Sequence, residues 1–267
     1  MQHRPDAEAQ EEARFRRGQR GRQGLKLVLA TSLLGFAAGL FSSSLFWITD
    51  VRVVAPDSAL ARAVCQAISL PGHASSIFYP LSRLERQATT LPQVESVAIA
   101  REGPHQLVVR VTRRLPIAGV LHEKGLLLVG ADGVITNLVP TGEKAPRLPL
   151  FVGIAVEQAQ PGGCLNAESA ALVAQAAQAA LAGGLGAGFR LDCSQRLDLR
   201  VSAGGVEGLL GATDNLERKV GLFAALLTEL RRQGGDPAYI DVRVMDRPVW
   251  MPKSSMSAPA PAATPPA

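Results

Sequence analysis

The chain has 267 residues, 28 Lys and Arg against 23 Asp and Glu, and a formal net charge of +5. Seven of those basic residues and four of the acids fall within residues 1–26, leaving 21 against 19 for everything after. The remainder is close to neutral, which argues against a broad basic face for nucleic acid, and its three cysteines form no CxxC or other metal-ligand spacing.

Residues 1–24 are polar and rich in Arg, Gln and Glu, and read as a disordered cytoplasmic tail. Leu27 to Thr49 is a run of 23 residues without a charge. As a helix it crosses a hydrocarbon core of about 30 Å with some tilt and satisfies its own backbone groups, so residues 25–49 are expected to form a transmembrane helix. Trp47, near its far end, suits the lipid–water boundary. Arg14, Arg16, Arg17, Arg20, Arg22 and Lys26 precede the run with no acid among residues 13–26. The positive-inside rule then keeps the N-terminus in the cytoplasm and exports the chain from residue 50 onward, a single-pass type II topology. A signal peptide cleaved near Ser42–Ser44 is the competing reading, although its apolar region usually has only about 7–15 residues. Gly35 and Gly39 stand at GxxxG spacing, which suits either helix association or a small-residue lipid face.

Val51–Val54 reads as a strand. Asp57 or Ser58 caps a helix carrying Leu60, Val64 and Ile68 on one face, ended by Pro71-Gly72; Cys65 falls on its apolar side as a small buried hydrophobe. Ser82 caps a second helix with Leu84, Ala88 and Leu91 along one side. Strands over Val94–Arg101 and Gln106–Thr112 follow, turned at Gly103-Pro104. The order β-α-α-β-β in about 65 residues makes a compact unit that buries two helices on one sheet face.

An ordered series of residues runs through this unit: Ile77-Phe78, then Leu91-Pro92-x-Val94 leading to Val97. Arg101-x-x-Pro104 follows, then Leu107-Val-Val-Arg-Val111 and the boundary Arg114-x-Pro116-x-Ala118. Directly behind one span, the series resembles a POTRA (polypeptide-transport-associated) domain, and the whole chain is similar to the FtsQ/DivIB cell-division proteins. The resemblance sets the domains at 50–115 (POTRA) and 116–252 (C-terminal β domain), with residues 253–267 a Pro/Ala/Ser-rich disordered tail.

In the second domain Pro116–Leu121 and Leu126–Val129 read as strands, with Asp132-Gly133 turning into Val134–Leu138. Val129-Gly130-Ala131-Asp132-Gly133 is the displaced counterpart of the family's Val-Asp-x-x-Gly, and Leu148-Pro149-Leu150-x-x-Gly153 resembles its Leu-Pro-x-x-x-Gly. Asn166–Leu181 reads as a helix with Asn166 as N-cap and Gly183-Gly184 as stop. The GGLGAGF run after it lacks G-x-G-x-x-G spacing and follows a helix, so it is a connector. Phe189–Asp192 with Arg196–Val201 reads as a hairpin and Gly205–Leu210 as a further strand. Asp214-x-x-Glu217 makes a capping box for a helix with Leu216, Val220, Phe223, Leu227 and Leu230 on one stripe, stopped at Gly234-Gly235. Strands over Tyr239–Met245 and Pro248–Met251 end the domain. Leu210-Gly211, Lys219 and Ile240-Asp241-Val242-Arg243 correspond to the family's Leu-Gly…Lys…Ile-Asp-Leu-Arg series. The expected class is thus α+β: a membrane helix, a β-α-α-β-β unit, and a mostly antiparallel sheet with two helices.

No catalytic set emerges. His3, His73, His105 and His122 have no metal-site spacing, His122-Glu123 lacks the second His of HExxH, and there is no G-x-S-x-G or S-x-x-K. Neither a cofactor nor a metal is expected, and an enzyme is not. Whether Cys164 and Cys193 join is open in an oxidising compartment and turns on their separation in the fold. The resemblance implies a divisome scaffold at the septum, whose last strands bind FtsB/DivIC-like and FtsL-like single-pass proteins. Carried over by position, the binding edge is Ile240, Asp241, Val242, Arg243, Val244 and Met245, with Trp250 beside it. Val244 stands where the family often has an aromatic. Ile240 and Val242 also suit the core, and Arg243 is the leading contact residue because arginine is enriched in interface hot spots. The POTRA unit is expected to contact other division proteins. The runner-up is a POTRA-bearing transport component, which usually carries repeated units or a barrel.

Overall fold

In the computed structural model the described residues are 29, 31–36, 39, 46–186 and 188–253. They divide into two compact units, one within Met1–Gln87 and Val97–Val111, the other within Ala88–Ser96 and Thr112–Ala267.

Eleven of the 23 residues of the apolar run lie outside the described residues. Leu29, Thr31–Phe36 and Gly39 are helical, and Leu29, Leu33, Leu34 and Phe36 are 61–73% exposed. Among the described residues no helix is long and apolar enough to cross a membrane. The far end of the run departs from expectation. Phe46–Thr49 is not α-helix: Trp47 bridges to Ser75, the Ile48 N–H donates to the Ala74 carbonyl, and the Thr49 N–H donates to His105. These backbone groups have partners in the first unit, and that stops a helix at this point.

The first unit is built on β1 (Asp50–Val54), α1 (Ser58–Ala67), α2 (Leu81–Thr89), β2 (Val94–Glu102) and β3 (Gln106–Arg113), in the expected order, the end of α2, the start of β2 and the end of β3 being counted with the second unit. Its sheet has the order β1-β3-β2, with β1 parallel to β3 from Asp50↔Gln106 to Val54↔Arg110. The Asp57 carboxylate accepts the Leu60 N–H at 2.6 Å and caps α1. Leu60, Val64, Leu84, Leu107 and Val109 are all 2% exposed or less. Two details differ from the sequence reading. Cys65 is exposed, because one residue beyond Val64 it is rotated about 100° off the buried Leu60–Val64 face. Helix α2 begins at Leu81 rather than being capped by Ser82; the fixed φ of Pro80 already starts the turn, and the Arg83 N–H closes it onto the Pro80 carbonyl.

The second unit holds β4 (Pro116–His122), β5 (Gly125–Gly130), β6 (Ile135–Val139), β7 (Leu150–Val152), α3 (Ala167–Ala182), β8 (Phe189–Asp192), β9 (Leu199–Ala203), β10 (Val206–Gly211), α4 (Leu216–Arg232), β11 (Pro237–Asp241) and β12 (Val249–Pro252). One nine-stranded sheet has the order β12-β11-β10-β9-β8-β7-β4-β5-β6. It is mixed, since β4·β7, β7·β8 and β10·β11 are parallel and the other pairs antiparallel. Parallel neighbours need a crossover, which α3 supplies between β7 and β8 and α4 between β10 and β11. The three-residue β7 is the strand that sequence reading passed over. Fully buried Phe151, Phe189, Phe223, Leu127, Leu199 and Leu227 share one core between helices and sheet.

Local signals decide where these elements stop. Asn166 Oδ1 accepts the Ser169 N–H at 2.8 Å and caps α3 as expected, with Gly183 as C-cap. The hairpin strand expected from Arg196 starts only at Leu199. The Asp192 carboxylate first captures the Ser194 N–H, and the chain turns through Ser194–Asp198. The capping box does not form either. The Asp214 carboxylate is taken by Lys219 Nζ at 3.0 Å, and α4 opens after Asn215 in the left-handed region without a side-chain cap.

The two ends of the large sheet differ. Beside β6, residues 162–165 run along 133–135, with Ile135 N–H to the Gly163 carbonyl, Gly162 N–H to Ile135 and a Val134–Cys164 bridge. The Leu138 N–H donates to the Asn137 side chain, and Pro140 follows the strand. At the other end β12 pairs with β11 on one side, and no described strand pairs with its other side.

Candidate functional site

The carboxy-terminal elements give the region where the expected site residues fall. Ile240 and Asp241 lie in β11, which is an interior strand between β10 and β12, so the free edge is not the Ile240–Met245 stretch expected from sequence. The strand stops at Asp241 because that carboxylate folds back. It accepts the Arg243 N–H at 3.0 Å and the Arg243 guanidinium at 2.6 and 3.0 Å, closing an Asx-type turn. Residues 242–248 form the connection, fastened by Val242 N–H to Leu209 and Arg247 N–H to Val244.

The expected residues therefore separate into three groups. Ile240 and Val242 are fully buried and fill the core. Asp241 and Arg243 are engaged with each other, and the Arg243 stem lies over Gly211, where a Cβ would come within 3.1 Å of Arg243 Cγ. With φ +70 as well, Gly211 has two reasons to lack a side chain. Val244, at 61% exposed, and Trp250, at 43%, face solvent, whereas Met245 is half-buried. Val249, absent from the expected set, is 57% exposed on the edge strand itself. In the β11–β12 register Trp250 stands opposite Ile240 on one face of the sheet and Val249 opposite Asp241 on the other, and both side chains are exposed at the edge. Lys253 ties the end of β12 to Asp236 through its N–H and through an ion pair of 2.8 Å.

Behind this edge, Lys219 is 3% exposed, and its ammonium donates to the Ala212 carbonyl and to Asp214, each at 3.0 Å. It pins the chain between β10 and α4 next to Gly211. A buried lysine is held there by two acceptors rather than offered to a ligand. Sequence reading also missed Arg114 as an anchor. Its guanidinium bonds to Asp132 at 3.0 Å and to the Pro92 carbonyl, and its N–H donates to Gln93.

Electrostatics reinforce the Asp241–Arg243 clamp. Hydrogen bonding from Arg243 holds the Asp241 carboxyl below its ordinary 3.8 against the opposing effect of burial, and the Arg243 guanidinium is raised by the same contact. A depressed carboxylate contributes stability that is complete above its unfolded value and lost as pH falls through the folded one. Asp241→Asn is thus expected to lower the melting temperature at neutral pH, and the two proteins should converge in acid. Thermal melts from neutral pH to about pH 2 check this; a constant difference across that range would contradict the clamp.

The cysteines are free thiols. Cys164 is exposed and Cys193 buried, so the disulfide left open by the sequence is not formed. Burial, then Asp192, pushes the Cys193 thiol up to about 12, which keeps it an uncharged packing group. Among the described residues no group of three or more His, Cys, Asp and Glu side chains gathers to hold a metal.

What the described residues offer is a strand edge with exposed apolar side chains, to which a further strand could pair. No protein-family model matches the chain. The chain is similar to the cell division protein FtsQ of Agrobacterium fabrum, 29% identical over 208 residues, which is 77% of this chain and 61% of that protein. The match thus covers about three-fifths of the relative's own length. The similarity is to a protein of the kind that the sequence motifs resemble.

Proposed function

We propose that the protein is a non-enzymatic scaffold of bacterial cell division that links early and late division proteins at the septum. Residues 27–45 form a membrane anchor with the N-terminus in the cytoplasm, residues 50–115 a POTRA domain, and residues 116–252 a partner-binding β domain outside. A helix over 27–45 still spans roughly 28 Å, enough without the residues that the first unit takes up. The relationship to a cell division protein carries the reading, and the free β12 edge supplies a means. Single-pass FtsB/DivIC-like and FtsL-like proteins are the proposed partners. One of them adds a strand to β12, with Trp250 and Val249 reading its side chains and Val244 flanking them. Arg243 then acts through Asp241, shaping the turn that presents β12, rather than as a leading contact. The first unit contacts further division proteins. Depletion in the host tests the assignment. Filaments with unsegmented septa are the expected result, whereas normal division with loss of outer-membrane proteins would move the assignment to transport.

A further inference from the structure

Beyond partner binding, the first unit carries an apolar loop whose position is set by the end of the apolar run. Phe78 is 67% exposed and Ile77 40%, in the segment between α1 and α2. This segment is hydrogen-bonded to the run itself. The Ser76 N–H donates to the Phe46 carbonyl at 2.6 Å, the Ile48 N–H to Ala74 at 2.9 Å, and Ser75 bridges to Trp47. The rings of Trp47 and His73 meet at 4.3 Å, and His105 Nδ1 lies 3.0 Å from the Trp47 carbonyl oxygen. The loop is also fixed in shape. The Arg101 guanidinium donates to the carbonyls of Ser76, Ile77 and Tyr79, and the Tyr79 N–H donates to Ser75. One arginine therefore takes up three of the loop's carbonyls, and Ile77 and Phe78 remain 40% and 67% exposed.

We propose that Ile77 and Phe78 insert into the outer interface of the bilayer, beside the anchor, as a second membrane contact. The inference rests on the anchor reading and adds a site on the exported part. The backbone pairing to the end of the apolar run carries it. A strand paired with residues 46–48 lies about 5 Å from them, and the interfacial layer outside the hydrocarbon is about 5–8 Å deep on each side. A loop held that close to the emerging chain and carrying the exposed Phe78 is within reach of the layer. Trp47 and Tyr79 nearby are the residue types that favour it. The same hydrophobic contact would resist tilting of the first unit about the single chain that attaches it.

The test uses the full-length chain in liposomes of phosphatidylethanolamine and phosphatidylglycerol. Cys65 and Cys164 are replaced by Ser, and a spin label is placed through Phe78→Cys or, separately, Ile77→Cys. A label through Leu197→Cys, 84% exposed in the second unit, is the aqueous reference. Expected is a several-fold higher ratio of oxygen to nickel-chelate accessibility at both loop positions than at 197. Equal ratios in protein that resists alkaline carbonate extraction would overturn the insertion alone. Extraction by carbonate would overturn the anchor and the insertion together.

Discussion

Phe223→Ala is expected to destabilise the second unit by about 3–5 kcal/mol, the cost of deleting a fully buried aromatic ring from a packed core. The ring lies directly on the sheet because position 208 has no side chain. A Cβ on Gly208 would stand 2.6 Å from Phe223 Cε2 and 2.4 Å from Val201 Cγ1. Strands β9 and β10 and helix α4 thus meet at one point, from which the chain continues into β11 and the edge strand. Denaturant unfolding followed by the fluorescence of Trp250 would measure the loss. Phe223→Leu keeps most of the volume and is expected to cost less than about 1.5 kcal/mol. Gly208→Ala should be severe alone and partly relieved in the double variant with Phe223→Ala, since the new methyl enters the vacated space. A loss below about 1 kcal/mol for Phe223→Ala would mean that the core reorganises around the site.

The second large effect falls on binding. Paired substitution of Val249→Lys and Trp250→Lys is expected to abolish capture of single-pass partner proteins from detergent-solubilised membranes by the full-length chain. Lysines protect natural sheet edges by making burial of an added strand costly, and here they replace two exposed apolar side chains. Trp250→Ala should retain the edge and lose about 2 kcal/mol, roughly 30-fold in affinity, as a central aromatic contact does. Arg243→Gln should act less strongly, and in parallel with Asp241→Asn, because both remove the same clamp. Unchanged capture by the folded Val249→Lys, Trp250→Lys variant would move the site away from β12.

Sequence was a good guide where one local signal had no rival. The alternation in Gln106–Thr112, the Asn166 cap and the stripe Leu216–Val220–Phe223–Leu227 all became the expected elements. It misled where a polar side chain had two suitors. Asp214 looks like a helix cap until Lys219, five residues on and buried, claims its carboxylate. Asp241 looks like a strand residue until Arg243 turns it into a strand terminator. That second case matters for the candidate site. Carrying the family's binding edge over by position put it on Ile240–Met245, whereas β11 ends at Asp241 and is flanked by β12, so the open edge lies one strand outward. Helix α2 shows a smaller version, with Pro80 pre-empting Ser82. The short β7 carries only three residues of pattern and takes its place from neighbours on both sides, which no local window contains.

If partners bind as proposed, the asymmetry of the large sheet bears on their number. A sheet with two open borders can grow in either direction, so that a bound strand or a second copy leads on to further additions. Here residues 162–165 pair along 133–135 at the start of the β6 border, and among the described residues no strand pairs along the outer side of β12. Under the proposed mode of binding each chain would accept one incoming strand at β12, and that addition would cover the edge. At a division site the number of partner complexes would equal the number of scaffold molecules delivered there, so their supply would meter the assembly.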